Sequence, residues 1–262
     1  MEINPIVYNL NCVSIKILNN FMSGHSKWAK LKHFKGALDA KKSAIFTKLG
    51  HAITIAAREG GGNPESNFKL RLAIESARKA NLPKDNIDRA IKRGTGELAG
   101  EKIEEILYEA FGPEGTGIVI QTLTDNKNRT IGALRRIFNK HGGSLGGQNS
   151  VLWMFERKGI LRIENCKAKI SDLEKIQLET IDLGAEDIKV EDGDLVVYAK
   201  PEDLEKIKEK FEQDGNAVDY AGVEWLAKEP VKVSQATQNK IDSIFAELDE
   251  EPDISDYYSN VE

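Results

Sequence analysis

Lys27, Lys30, Lys32 and Lys35 are interleaved with Trp28, His33 and Phe34, and Lys41, Lys42 and Lys48 extend the run. A lysine ammonium attracts phosphate whatever base it carries, and an aromatic face can stack on a base. The chemistry suggested is retention of a polyanion, with no bond made or broken. Arg89, Lys92 and Arg93 form a second set, spaced three and four apart on one helix face, with Arg78, Lys79 and Lys84 nearby. Arginine forks onto a phosphate where lysine acts as a point charge. The plainer reading is a pair of solvated basic faces, with Trp28 and Phe34 tucked into a helical bundle.

A third set is Asp125, Asn126, Asn128 and Arg129, placed where a strand ends and a helix begins. These polar groups could line a crevice. Alternatively, Asp125 or Asn128 simply caps the helix.

Other chemistry lacks its residues. Gly142-Gly143-Ser144-Leu145-Gly146 has the letters of a nucleophile elbow. That turn needs a strand before it and a helix after it, and the order here is reversed. His25, His33, His51 and His141 show no paired metal-ligand spacing, so no metal site is expected. Gly60-Gly61-Gly62 and Gly94-Thr95-Gly96 lack the spacing of a phosphate-binding loop. Asp249-Glu250-Glu251-Pro252-Asp253 lacks the alternation of a calcium loop and reads as a solvated acidic run. No cofactor is implied and no catalytic group stands out; the chain reads as a non-enzyme.

The charge distribution concentrates the cations. The 262 residues carry a net charge of −5. Residues 23–98 hold 16 Lys/Arg against 7 Asp/Glu, and residues 161–262 hold 12 against 27. A basic front and an acidic back suggest one-sided contact with a polyanion. Apolar residues make up 40%, enough for packed cores. Two cysteines, Cys12 and Cys166, are too few for a disulfide framework and suit a reducing, cytoplasmic setting. No apolar run is long enough to span a membrane. Residues 1–21 lack the pattern of a signal or transit peptide and read as an extension, with Met22 the expected working start.

The elements that would position these residues follow from periodicity. Ile45, Leu49, Ile53 and Ala56 make one helical stripe; Leu70, Ala73, Ile74 and Ala77 a second; Ile87, Ala90 and Ile91 a third. The three glycines at 60–62 end the first helix, Pro83 opens the third, and Gly94 is expected just past its end. Residues 106–111 and 116–124 read as strands, and 129–141 as a helix with Ile131, Leu134, Ile137 and Phe138 inward. Residues 151–155 and 159–163 read as separate strands around Glu156-Arg157-Lys158. From Gly159 to Leu226 the order is βαββαβ, the ferredoxin-like pattern, with Asp192-Gly193 a hairpin turn. A helix over 234–248 and a strand over 253–261 complete the chain.

Taken together, the motifs resemble the YebC/PmpR family, which includes the mitochondrial translational activator of cytochrome oxidase. They are Gly24-His25-Ser26-Lys27-Trp28, Asp39-Ala40-Lys41-Lys42, Phe46-Thr47-Lys48-Leu49, Asn81-Leu82-Pro83-Lys84-Asp85-Asn86-Ile87, Lys92-Arg93-Gly94-Thr95-Gly96, Thr124-Asp125-Asn126-Lys127-Asn128-Arg129-Thr130, His141-Gly142-Gly143 and Phe155-Glu156-Arg157-Lys158-Gly159. The chain departs from the pattern at Phe34, Phe68, Ser144 and Gly50-His51-Ala52.

The resemblance implies an α+β protein of three domains: a basic helical bundle, then two ferredoxin-like α+β domains, one inserted into the other. The expected boundaries are 22–98, then 99–156 with 227–262, and 157–226 as the insert, with 1–21 outside the family pattern. The partner expected is nucleic acid, either rRNA/tRNA with the ribosome or DNA, and no membrane. A monomer is the favoured state. The leading expectation is a translation factor acting through RNA or the ribosome. A DNA-binding transcriptional regulator is the alternative, and a protein-interaction scaffold the second alternative.

Overall fold

The computed structural model describes residues 39–99, 102–163, 170–191 and 193–262. Lys27, Trp28, Lys30, Lys32, His33 and Lys35 lie outside the described residues, as do the side chains of Lys41 and Lys42.

Three helices come first. Helix α1 (Asp39–Gly60) buries Ile45, Ile53 and Ala56, with Leu49 packed alongside. Gly61 turns the chain out at φ 85°, a left-handed value that glycine adopts without steric cost. Helix α2 (Phe68–Lys79) buries Leu70, Ile74 and Ala77. Its cap, Asn67, accepts from Leu70 N at 3.0 Å and donates to the Ala56 and Gly61 carbonyls at 2.8 Å each. One buried amide thus caps the second helix and ties off the first. Helix α3 (Lys84–Gly94) follows Pro83 and buries Ile87 and Ala90. Gly94 is not the residue past the helix end; it is the last helical residue. A Cβ there would sit 2.4 Å from the Thr54 carbonyl oxygen, so Gly94 is required by the close crossing of α3 on α1.

Strands β1 (Glu104–Phe111), β2 (Gly117–Thr124), β3 (Ser144–Leu145) and β8 (Ile254–Ser259) form a sheet in the order β3-β1-β2-β8, every pair antiparallel. Helices α4 (Lys127–Lys140) and α7 (Gln235–Glu250) cover one face, packing Leu134, Ile137, Phe138, Ile241 and Phe245 against Ile118 and Ile120. The second sheet contains β4 (Phe155–Ile163), β5 (Ala185–Glu191), β6 (Asp194–Ala199) and β7 (Tyr220–Ala227), in the antiparallel order β5-β6-β4-β7. Helices α5 (Ile170–Ile181) and α6 (Leu204–Gln213) complete a βαββαβ thread. The first sheet shares the layering but opens with a hairpin. Because β8 returns to pair with β2, the run from β4 to β7 lies between its elements.

Two local expectations change. Residues 151–154 do not belong to a strand; a 3-10 turn, Leu152–Met154, leads into β4, which begins at Phe155. Glu156, Arg157 and Lys158 do not turn the chain either. They lie within β4, opposite Leu226, Trp225 and Glu224 of β7.

Candidate nucleic-acid interface

Helix α3 has two faces because its apolar residues recur at helical spacing. Ile87 and Ala90 point into the bundle, while Lys84, Arg89, Lys92 and Arg93 are exposed. Among the described residues none of these four cations has an ion-pair partner. Arg89 is steadied by its own helix: Nε donates to the Asp85 carbonyl at 3.3 Å and Nη2 to Asn86 Oδ1.

Arg89 and Arg93 flank a groove between α1 and α3, about 550 Å³ in volume, lined also by Phe46, Thr47, Gly50 and His51. A Cβ on Gly50 would meet nothing within 4 Å, so this glycine leaves the groove wall open. The groove residues of α1, from Ser43 through Phe46 and Thr47 to Gly50, recur at the helical spacing of three and four, beside the buried stripe. Sequence reasoning missed this face, and that spacing was the signal available.

Lys48 has a different role from the lysines before it. It is half-buried, and Nζ donates to the Asp249 carbonyl in the last turn of α7 at 2.8 Å. A cation at a helix C-terminus is favoured by the dipole. Burial lowers its pKa below the ordinary 10.5, opposed by Asp249, Asp256 and Glu251. Other cations of the helical region bond to the second sheet's unit. Arg71 pairs with Glu205 of α6 at 2.5 Å, and Lys79 donates to the Asp219 carbonyl. The basic-to-acidic gradient is therefore partly spent inside the molecule, docking the helices on the second sheet's unit. Phe68 adds an apolar contact there, and His51 Nδ1 lies 3.1 Å from the Leu123 carbonyl oxygen at the end of β2.

The polar set after β2 closes on itself. Asn126, rather than Asp125 or Asn128, caps α4, accepting from Arg129 N at 3.1 Å. Arg129 binds Asp125 at 2.7 Å and grips Asp253 through both of its carboxylate oxygens, at 3.0 and 2.6 Å. These bonds, Asp253 above all, raise the Arg129 pKa further, so the guanidinium is permanently charged. Asn128 stays exposed. These residues build a cap and a knot in place of an open crevice. Asp253 departs from the solvated reading of the acidic run, at 5% exposed, whereas Asp249 and Glu250 are exposed as that reading expects. Among the described residues no group of three or more His, Cys, Asp or Glu side chains could hold a metal ion.

Residues 26–97 match the TACO1/YebC protein N-terminal domain, and residues 103–261 match the TACO1/YebC second and third domain. The chain belongs to the TACO1/YebC family. A probable transcriptional regulatory protein of Thermoanaerobacter pseudethanolicus is 47% identical over 92% of this chain and 97% of its own. One from Thermotoga maritima is 49% identical over 92% of this chain and 94% of its own. The crystal structure of a conserved hypothetical protein from Aquifex aeolicus superposes with a TM-score of 0.79 at 39% identity, covering 90% of this chain and 97% of that one. TACO1/YebC proteins are regulators rather than enzymes. The α+β architecture, a three-helix region followed by two four-stranded antiparallel sheets, is that of the family. No helix of the described residues is long and apolar enough to cross a membrane.

Proposed function

We infer that the chain is a nucleic-acid-binding regulator of gene expression that acts on translation, through RNA or the ribosome. The observation that carries this reading is the exposed row of Arg89, Lys92 and Arg93 beside the α1–α3 groove. Phosphate contacts of this kind position a protein without reading sequence. Weak sequence preference fits structured RNA or a ribosomal surface. Lys27, Trp28, Lys30, Lys32, His33, Lys35, Lys41 and Lys42 are assigned to the same interface on their residue types and proximity in sequence. Lys48 is left out because its ammonium is engaged by α7. The reading divides the chain at the boundaries 22–98, 99–156 with 227–262, and 157–226.

The names of the relatives favour a second reading, transcriptional regulation through DNA. Sedimentation with ribosomes through a sucrose gradient, set beside binding to random duplex DNA, separates the two. The translation reading expects ribosome co-migration that is lost at high salt, and migration only as free protein overturns it. Reversing the charge of Lys27, Lys30, Lys32 and Lys35 together is expected to abolish binding with thermal stability nearly unchanged. Partners that survive nuclease treatment would instead indicate a protein scaffold.

A further inference from the structure

Trp153 is 64% exposed, although its neighbours in the turn are tied down. Its indole Nε1 donates to the Ser150 carbonyl at 3.1 Å, which fixes the ring's direction. Lys228 Nζ donates to the Trp153 carbonyl at 2.9 Å. Behind the turn, the carboxylate of Glu109, 6% exposed, accepts the N–H groups of Asn149, Val151 and Leu152 at 2.6, 2.7 and 2.7 Å. A buried carboxylate holding three backbone donors makes the loop rigid. The surface it presents, Gly147, Gln148 and Asn149, is exposed and uncharged. No charged residue occurs from Gly142 to Phe155, in a chain that is 30% charged.

A fixed aromatic face beside neutral amides, with one cation at its side, matches an unpaired nucleobase. The ring stacks, the amides meet the base edge, and Lys228, exposed where Lys48 is half-buried, meets a phosphate with the donors it does not give to the Trp153 carbonyl. A protein partner fits less well. Val151 is buried and Leu152 and Met154 are half-buried, so the apolar surface offered is one indole. A stable protein interface needs about 800 Å² per partner.

The turn also stands apart from the basic helices. It packs on the Gly117 end of β2, where a Cβ on Gly117 would lie 2.8 Å from Met154 Sδ. Helix α1 meets the other end of β2, through His51 and the Leu123 carbonyl. The six residue steps of extended chain from Gly117 to Leu123 place these two contacts about 20 Å apart. We propose that the Trp153 turn is a second contact for RNA, stacking one unpaired base while the basic helices, which meet the opposite end of β2, hold the backbone. This rests on the nucleic-acid reading above and adds to it a requirement for single-stranded character.

The test is fluorescence anisotropy on the full chain, with a labelled CA-repeat RNA of about 20 nucleotides and the same strand annealed to its complement. Trp153→Ala is expected to weaken single-strand binding about 5- to 100-fold and to leave duplex binding within about twofold. Trp153→Phe, which keeps an aromatic face, is expected to restore most of the loss. Unchanged single-strand binding in Trp153→Ala overturns the proposal and assigns the indole to another partner. Equal losses on both RNAs overturn it too, since stacking needs a free base. If lysine reversal abolishes binding while Trp153→Ala does not, only the stacking proposal fails. If the unaltered protein binds neither RNA, the basic-surface reading fails with it.

Discussion

Arg129 and Asp253 are 124 positions apart in sequence and joined side by side, guanidinium to carboxylate, through bonds of 3.0 and 2.6 Å. The same carboxylate accepts from Thr130 Oγ1 at 2.8 Å and Thr124 Oγ1 at 3.2 Å. One buried acid therefore gathers the end of β2, the first turn of α4 and the approach to β8. Replacing it with an amide offers an N–H₂ where an acceptor is needed. Asp253→Asn is expected to cost about 2 to 3 kcal/mol, and Arg129→Ala about 1.5 to 3 kcal/mol. Urea unfolding of both single variants and the double variant checks this. Additive losses would mean that the two residues act independently.

Gly94 tests the crossing of α3 on α1. In an open helix, Gly→Ala is stabilising by about 0.5 to 1 kcal/mol. Here the added methyl lies 2.4 Å from a backbone oxygen and 2.7 Å from Ala57 Cβ, and neither can swing away. Overpacking of this kind costs about 1 to 3 kcal/mol. The net expectation for Gly94→Ala is a loss of about 1 to 2 kcal/mol in the denaturation midpoint experiment. A gain would show that the helices part easily.

What the sequence disclosed and what it concealed divide along the range of the contacts. The stripe of Ile45, Ile53 and Ala56 and that of Leu134, Ile137 and Phe138 were legible because neighbours three and four apart share a face. So was the common face of Arg89, Lys92 and Arg93. The failures trace to partners far along the chain. The apolar run at 151–155 promised a strand, but Glu109 captures its backbone donors from 42 positions away. Glu156, Arg157 and Lys158 looked like a turn because nothing local shows that β7 will lie opposite them. Lys48 looked like one more phosphate contact, yet it turns to a helix end 201 positions later. Its side chain obeys ordinary electrostatics; only the location of its acceptor was hidden.

Glu109 offers a direct test of how the Trp153 turn is held. Its two carboxylate oxygens serve three backbone donors. Glu109→Gln keeps the shape but replaces one acceptor with a donor facing an N–H. A loss of about 2 to 3 kcal/mol is expected, for a charge-assisted set left partly unmade. Hydrogen exchange locates it: the amides of Asn149, Val151 and Leu152 should exchange faster, while those of α3 keep their protection. Acceleration spread evenly over the chain would instead indicate global loosening.

Glu191 predicts a pH dependence. Burial raises its pKa above the ordinary glutamate value of 4.5, against the Tyr198 hydrogen bond and the nearby Arg162. The folded state then holds this proton more tightly than the unfolded chain. The stability so gained is complete below about pH 4.5 and is lost as pH rises through the folded-state value. The stability of the unaltered protein minus that of Glu191→Gln should therefore fall as pH climbs from about 4.5 toward 7, and stay flat below that range. Urea denaturation at several pH values measures it. A difference that grows with pH would mean that Arg162 and Tyr198 outweigh burial.

The exposed face of α3 yields the prediction on which the interface depends. Arg89, Lys92 and Arg93 project from a helix whose opposite side, Ile87 and Ala90, makes the packing contacts. Among the described residues none of the three has an ion pair to lose, but Lys92 and Arg93 lie in the last turn of α3, where the dipole favours cations, so Arg89→Glu/Lys92→Glu/Arg93→Glu should cost only about 1 to 2 kcal/mol of stability. Its effect on binding should be larger and dependent on salt. Each phosphate contact contributes about 0.7 to the slope of log K against log salt on single strands and about 0.9 on duplex. Three lost contacts lower that slope by about 2 to 3. Affinity measured at several salt concentrations gives both quantities, and thermal unfolding of the same sample verifies the fold. A slope that stays the same, with the fold intact, would place the nucleic acid somewhere other than on this face.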